Sequence, residues 1–289
     1  MLAVSSWYYR LYQRILSILK SIRKHVLLKV YYSMLDAFDF LLGRRDELTP
    51  TRRLSASVGD GDFKKRGDEF FRYFIELSSL KPNNRILDVG CGVGRMVVPL
   101  INYLDKDGSY EGFDIVAAGI TWCTKTITSK YPHFRFQLAD IYNGSYNSQG
   151  RYKASEYKFP YENESFDFVF LTSVFTHMLP KDLENYLSEI ARVLKKGGRC
   201  FVSFFLLNAE SVKLIEAKQS SLDFKYKFKG YFTISKIAPE SAVAYNEYFI
   251  KKLYEKYGLT MGEPIHYGSW CGRKEYLSYQ DIVLAVKKS

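Results

Sequence analysis

The chain is poor in cysteine and histidine, four of each in 289 residues, and that scarcity excludes several chemistries at once. Cys91, Cys123, Cys200 and Cys271 lie far apart, with no CxxC pair and no histidine close by. Such spacing builds neither a disulfide scaffold nor a zinc site, and free thiols suit a reducing, cytoplasmic setting. Long uncharged stretches are missing as well. No run approaches the about 18 apolar residues that a membrane-spanning helix requires. Repeats and low-complexity tracts are absent. The apolar fraction of 47% and charged fraction of 25% are those of globular proteins, which excludes a disordered or fibrous chain.

Acidic residues are scarce at one end only. The formal net charge is +11. Residues 1–45 hold eight cations (Arg10, Arg14, Lys20, Arg23, Lys24, Lys29, Arg44, Arg45) against Asp36 and Asp39, a net +6, which leaves +5 for everything after them. The body is therefore only mildly basic, and no nucleic-acid partner is expected from charge alone. Within the basic segment Leu11, Ile15, Ile18, Ile22, Val26 and Val30 recur at spacings of three and four, the pattern of an amphipathic helix. Trp7, Tyr8, Tyr9 and Tyr12 add rings that favour a water–lipid interface. Three uses stay open: docking on the body or on a second subunit of a homodimer, peripheral contact with an anionic membrane, or targeting. We treat residues 1–55 as this extension and 56–289 as the main domain.

From about residue 68 the pattern becomes strand, helix, strand, helix. Asp68–Leu80 reads as a helix, closed by Lys81-Pro82-Asn83-Asn84. Strands are predicted at Arg85–Val89, Tyr110–Asp114, Phe134–Leu138, Phe166–Leu171 and Cys200–Leu206, with helices at Arg95–Leu104, Ala117–Lys130 and Asp182–Leu194. Phe166–Leu171 is apolar apart from Asp167, as a strand covered on both faces must be. Lys195-Lys196-Gly197-Gly198 carries the charge and glycine that favour a helix end. Alternation of this kind builds an α/β fold, a parallel sheet with helices on both faces. A further helix, Tyr245–Tyr257, precedes two strand-like stretches, Met261–Tyr267 and Asp281–Val286, that can close the sheet as a hairpin.

The sequence Asp88-Val89-Gly90-Cys91-Gly92-Val93-Gly94 follows a strand and opens a helix. Glycines let the backbone turn tightly and approach a ligand, and a helix start offers free N–H groups. A dinucleotide site needs its third glycine at position 95, where this chain has Arg95. Asp88, ending the strand, disfavours a pyrophosphate and suits a cation such as a sulfonium. Asp114 ends the second strand, within reach of a ribose diol, and Asp140 ends the third, where it can accept from an adenine amine. One such Asp is commonly a helix cap. Three at successive strand ends mark the edge at which open α/β sheets bind ligands.

On these residues, together with Ser165–Phe170 and Arg192–Gly198, the chain from about Asp62 to Lys287 resembles the class I S-adenosylmethionine-dependent methyltransferases. The resemblance implies a Rossmann-like doubly wound seven-stranded sheet, mostly parallel with an antiparallel last strand, and S-adenosylmethionine as cofactor. It implies cofactor contacts at Asp88, Gly90, Cys91, Gly92, Gly94, Asp114, Ile115, Asp140, Ile141 and Thr172. The Asn/Asp-Pro-Pro-Tyr motif of enzymes that methylate DNA bases or glutamine is missing; Thr172-Ser173-Val174-Phe175 stands in its place. A small-molecule or lipid-like acceptor is expected. The alternatives are an RNA methyltransferase and a non-catalytic membrane-surface or partner-binding module on the same fold. His177 is the candidate base, since imidazole titrates near neutrality; local packing is its other reading. Ser173, Tyr157 and Trp270 are candidate acceptor contacts. The insertions 142–161 and 208–241 are expected to cover the substrate. The second contains Asp223–Lys229, whose alternation predicts a strand with one aromatic and one cationic face.

Overall fold

The computed structural model describes residues 27, 30–43, 46–59, 61–144 and 146–288. Most of the predicted N-terminal stripe, Leu11 to Val26 with the rings at Trp7, Tyr8, Tyr9 and Tyr12, lies outside the described residues. The chain divides into two compact units, one ending at Phe63 and the other spanning Lys64–Ser289. In the first, residues 30–41 form helix α1 and Arg52–Ala56 form the short α2, with the Thr51 hydroxyl accepting from the Leu54 N–H at 3.2 Å. Asp36 accepts from the Arg52 N–H at 3.0 Å, and Asp39 pairs with the Arg52 guanidinium.

In chain order, the remaining elements begin with α3 (Phe63–Glu76), β1 (Arg85–Val89), α4 (Val97–Ile101) and β2 (Ser109–Asp114). Next come α5 (Ala117–Cys123), β3 (Phe134–Leu138), β4 (Phe166–Leu171), α6 (Pro180–Val193) and β5 (Leu194–Phe204). They continue as β6 (Leu206–Leu207), α7 (Ala209–Glu216), β7 (Tyr226–Phe228), β8 (Tyr231–Thr233), β9 (Val243–Asn246), α8 (Glu247–Lys256), β10 (Leu259–Met261) and β11 (Asp281–Lys287). Seven strands form the main sheet in the order β10-β11-β5-β4-β1-β2-β3. Its pairs are parallel from β5 across to β3, whereas β11 runs antiparallel to both β5 and β10. This is the Rossmann-like doubly wound α/β sheet.

The alternation of β4 explains its two covered faces. Phe168 and Phe170 meet Phe74 of α3 at ring distances of 5.3 and 4.6 Å. Val169 and Leu171 share the opposite core with Leu183, Leu187 and Ile190 of α6. All these side chains are buried, so the central strand is held rigidly and its carboxyl end is a firm platform.

Several elements differ from the sequence expectation. α3 spans Phe63–Glu76 where the pattern predicts Asp68–Leu80, and α5 ends at Cys123 and continues as a π-helical turn over Thr124–Thr128. The start of the expected Tyr245–Tyr257 helix is strand β9, and β10 is Leu259–Met261 in place of Met261–Tyr267. β5 starts at Leu194, six residues early, because Lys195–Gly198 forms an irregularity within the strand instead of a loop before it. Phe166 pairs with Leu194 and Phe168 already with Arg199, with Gly197 at φ 73° absorbing the shift. Helix α4 is only five residues long. The predicted Arg95–Leu104 helix loses its first turn because the glycine loop runs on through Arg95 and Met96. The largest difference is a second sheet, order β6-β9-β8-β7, built from the 208–241 insertion and its flanks. The alternating segment supplies its edge strand β7, where Phe228 stacks on Tyr231 at 5.0 Å and Lys227 pairs with Glu216 at 3.0 Å.

Candidate functional site

The loop after β1 takes its shape from three left-handed glycines, Gly90 (φ 86°), Gly92 (φ 56°) and Gly94 (φ 74°). The N–H groups of Gly90 and Cys91 both donate to the Phe113 carbonyl, at 2.9 and 3.1 Å. Gly92 N–H donates to Asp114 Oδ2 at 2.7 Å and Val116 N–H to Oδ1 at 2.8 Å. The carboxylate at the end of β2 therefore holds the loop of β1 in place. Two neighbours close in further. A Cβ on Gly90 would stand 2.4 Å from Val174 Cγ2, and one on Gly119 would stand 2.4 Å from the Gly92 carbonyl oxygen. Gly119 is thus what lets α5 lie against the loop. Adding a methyl there is an overpacking change on the scale of about 1–3 kcal/mol. Gly119→Ala is expected to weaken S-adenosylmethionine binding by about tenfold, read by calorimetry. Unchanged affinity would mean that the helix yields without moving the loop.

Asp88 lies beneath this loop and is buried. Tyr110 donates its hydroxyl to Asp88 Oδ2 at 2.7 Å, while Oδ1 has no hydrogen-bond partner. Burial pushes the Asp88 carboxyl up to about 8, against the pull of the Tyr110 hydrogen bond. The folded protein therefore favours the protonated acid, whereas the unfolded chain ionises in the ordinary carboxylate range. The unfolded state binds fewer protons across that window, so stability falls as pH rises from about 4 to about 8. Asp88→Asn stays neutral and keeps an acceptor for Tyr110. Its thermal midpoint is expected to vary less between pH 6 and about 8 than that of the parent chain; parallel curves would contradict this account.

The remaining expected residues are distributed as follows. Cys91 and Ile141 are buried, and Ile115 and Thr172 are half-buried. Asp114 retains 9% exposure. A carboxylate has about four acceptor positions, so Asp114 keeps acceptor capacity beyond the two N–H groups of Gly92 and Val116. Asp140 is bonded to the Arg151 side chain and N–H, and the Arg151 hydrogen bond holds its carboxyl below the usual range. It thereby pins the start of the 142–161 insertion. Tyr157 is half-buried against Phe113, ring to ring at 6.1 Å. Ser173 is exposed, with φ 62°, a strained backbone for a residue bearing a side chain. Trp270 corrects the expectation of an acceptor contact. Its side chain has no exposed surface, packs on Phe205 and Phe224, and donates Nε1–H to Asp281. It is a core ring that no acceptor can touch.

His177 follows β4 in the turn Phe175–His177. Its Nδ1 lies 3.0 Å from the Glu240 carbonyl, and a carbonyl only accepts, so Nδ1 carries the proton and Nε2 the lone pair. Burial lowers its pKa, which keeps it neutral near pH 7. Tyr146 packs edge-on at 5.8 Å, and Glu240 Oε2 accepts from Gly144 N–H at 3.2 Å. Glu240 therefore ties both insertions to the turn that holds His177.

Several contributors were invisible as a set in the sequence. Ser173 N–H donates to Ser203 Oγ at 2.7 Å, Ser203 Oγ–H donates to Gln280 Oε1 at 2.6 Å, and Gln280 Nε2–H donates to Ser173 Oγ at 2.9 Å. This closed ring joins the ends of β4, β5 and β11, which lie apart in sequence. Only Gly119, a helix-interior glycine with its cost of about 1 kcal/mol, left a readable signal.

Residues 87–202 match the family model described as "Methyltransferase domain". Among curated proteins, the chain is 32% identical over 84 residues to a probable cobalt-precorrin-6B C(15)-methyltransferase (decarboxylating) of Thermoplasma acidophilum, covering 28% of this chain and 41% of that protein. It is 26% identical over 134 residues to a ubiquinone/menaquinone biosynthesis C-methyltransferase of Xanthomonas oryzae pv. oryzae, covering 46% and 47%. The chain spans less than half the length of these curated relatives. Its fold superposes on the crystal structure of a SAM-dependent methyltransferase of Methanosarcina mazei with a TM-score of 0.50 at 21% identity, covering 74% of this chain and 97% of the other. The family's methyl donor is a nucleoside with a ribose diol and a cationic sulfur, and the left-handed glycine loop with Asp114 at its rim fits that ligand. Over residues 87–202 the chain is similar to the methyltransferase-domain family, on a fold shared with a SAM-dependent methyltransferase.

Proposed function

We propose that the protein transfers the methyl group of S-adenosylmethionine to a small-molecule or lipid-like acceptor at the carboxyl ends of β4 and β5. The observation that carries this reading is the locked glycine loop, in which Gly92 N–H is bonded to Asp114, at a strand-end carboxylate that still has acceptor capacity. Asp114 would hold the ribose, Gly90, Gly92 and Gly94 would admit the methionine portion, and Ile115 with Ile141 would flank the base. S-adenosylmethionine supplies an electrophilic methyl group when bound. The protein's part is alignment and exclusion of water. Ser173, held by Ser203 and Gln280, would orient the acceptor. His177 would take its proton at Nε2 where the acceptor must lose one. Two matched relatives are named for a cobalt-precorrin and for quinone biosynthesis, which favours a small acceptor, while a third, a tRNA N(3)-cytidine methyltransferase, is the support for the RNA alternative.

The test is incubation with labelled methyl donor and a cell extract, followed by identification of the labelled product. Label that ribonuclease removes would replace the small-molecule reading with an RNA one. With the acceptor in hand, His177→Gln is expected to lower turnover by about 10²-fold or more. Activity of the parent should fall as pH drops through the His177 pKa, which burial sets below the ordinary imidazole value. The variant should lack that limb, and an unchanged pH profile would remove His177 from the reaction.

A further inference from the structure

Helix α1 is built inside out. On a wheel of 100° per residue, Leu27, Val30, Tyr31, Met34, Phe38 and Leu41 fall within one stripe about 100° wide, the width that normally faces a core. All six are exposed, Met34 at 65% and Leu41 at 80%. The opposite side carries Asp36 and Asp39, half-buried and bonded to Arg52. A soluble helix hides its apolar stripe; this one exposes it while its two acids are tied up by Arg52.

From this inversion we propose that α1 docks on an anionic lipid bilayer, its apolar stripe entering the boundary between headgroups and acyl chains. Charge selects this occupant. The only acids among residues 1–45 are Asp36 and Asp39, both engaged by Arg52, whereas the same stretch contributes eight Lys or Arg. A second copy seated on the stripe would bring two +6 segments together, and an uncharged partner would draw no attraction from them. A negatively charged headgroup layer satisfies both features, apolar burial and cation attraction, in one plane. Tyr31, near one edge of the stripe, supplies a ring suited to the interface. The inference stands independently of the methyl-transfer reading, because it uses residues of the first unit alone.

The test is flotation of the full chain with vesicles of phosphatidylcholine alone and of phosphatidylcholine mixed with phosphatidylglycerol. Binding is expected to the mixed vesicles, much less to the neutral ones, and to weaken with added salt. Met34→Glu with Phe38→Glu is expected to reduce binding to the mixed vesicles by about tenfold or more, with the thermal transition unchanged because both side chains already face water. Lys20→Glu with Lys24→Glu should reduce binding while leaving the stripe intact. Absence of binding to the mixed vesicles, or binding that the Met34/Phe38 variant leaves unaltered, overturns the proposal. A concentration-dependent dimer that this variant abolishes would assign the stripe to a second copy instead.

Discussion

In the Asp114→Ala variant, affinity for S-adenosylmethionine is expected to drop by about 1–3 kcal/mol, between about fivefold and 150-fold, by isothermal calorimetry. Two losses combine. The side chain that would accept from the ribose diol disappears, and Gly92 and Val116 lose the acceptor that fixes the loop. S-adenosylhomocysteine has the same ribose without the positive sulfur, so it separates these from a charge effect. Equal losses for both nucleosides support the ribose and loop assignment. A loss confined to the sulfonium would mean that Asp114 acts through its charge, and parental affinity in the variant would end the assignment. Asp114→Asn should recover part of the loss, since its amide oxygen can still take one N–H.

Much of this was readable from the chain because the signal was local. The strands β1, β3 and β4 have the bounds that their apolar runs predict, since each is a short segment bracketed by turn residues. The loop was legible for the same reason: three glycines and an acid occupy seven consecutive positions. Burial of those acids was not legible. Asp88, Asp114 and Asp140 look alike at three strand ends, yet one is sealed beside Tyr110, one grips a neighbouring loop, and one is paired with Arg151. Those fates depend on which residue the fold places opposite, a long-range fact. Trp270 shows the same limit. A ring beside glycines in a late loop reads as a pocket wall, but the second sheet, of which the alternation at Asp223–Lys229 announced a single strand, encloses it. The Ser173–Ser203–Gln280 ring draws its members from β5 and from the loops flanking β4 and β11, so it exists only after the sheet has assembled.

Asp281→Ala should be the most destabilising substitution in the second unit, costing about 3–5 kcal/mol in urea unfolding with an unchanged m-value. Asp281 opens β11 and has no exposed surface. Its carboxylate accepts from Leu206 N–H at 2.6 Å, Trp270 Nε1–H at 2.7 Å, Gly268 N–H at 2.7 Å and Arg273 Nη1–H at 3.2 Å. One side chain thus joins β6 of the second sheet to the main sheet and to the loop between β10 and β11. Removing it strands three N–H donors, and Arg273, itself 4% exposed at its side chain, keeps Glu210 as its ion-pair partner. Trp270→Phe removes a single donor and should cost only about 1 kcal/mol for the hydrogen bond. A cost for Asp281→Ala no larger than that would show the network to be ornamental. Burial raises the Asp281 carboxyl to about 6, and its four donors leave it ionised at neutral pH. Because that value exceeds the unfolded one, the stability it contributes declines as pH climbs from about 4 to about 6 and is level above. Between about pH 4 and 6 the alanine variant should show a shallower slope than the parent, keeping the part that Asp88 supplies, which separates loss of this carboxyl from a general loosening of the core.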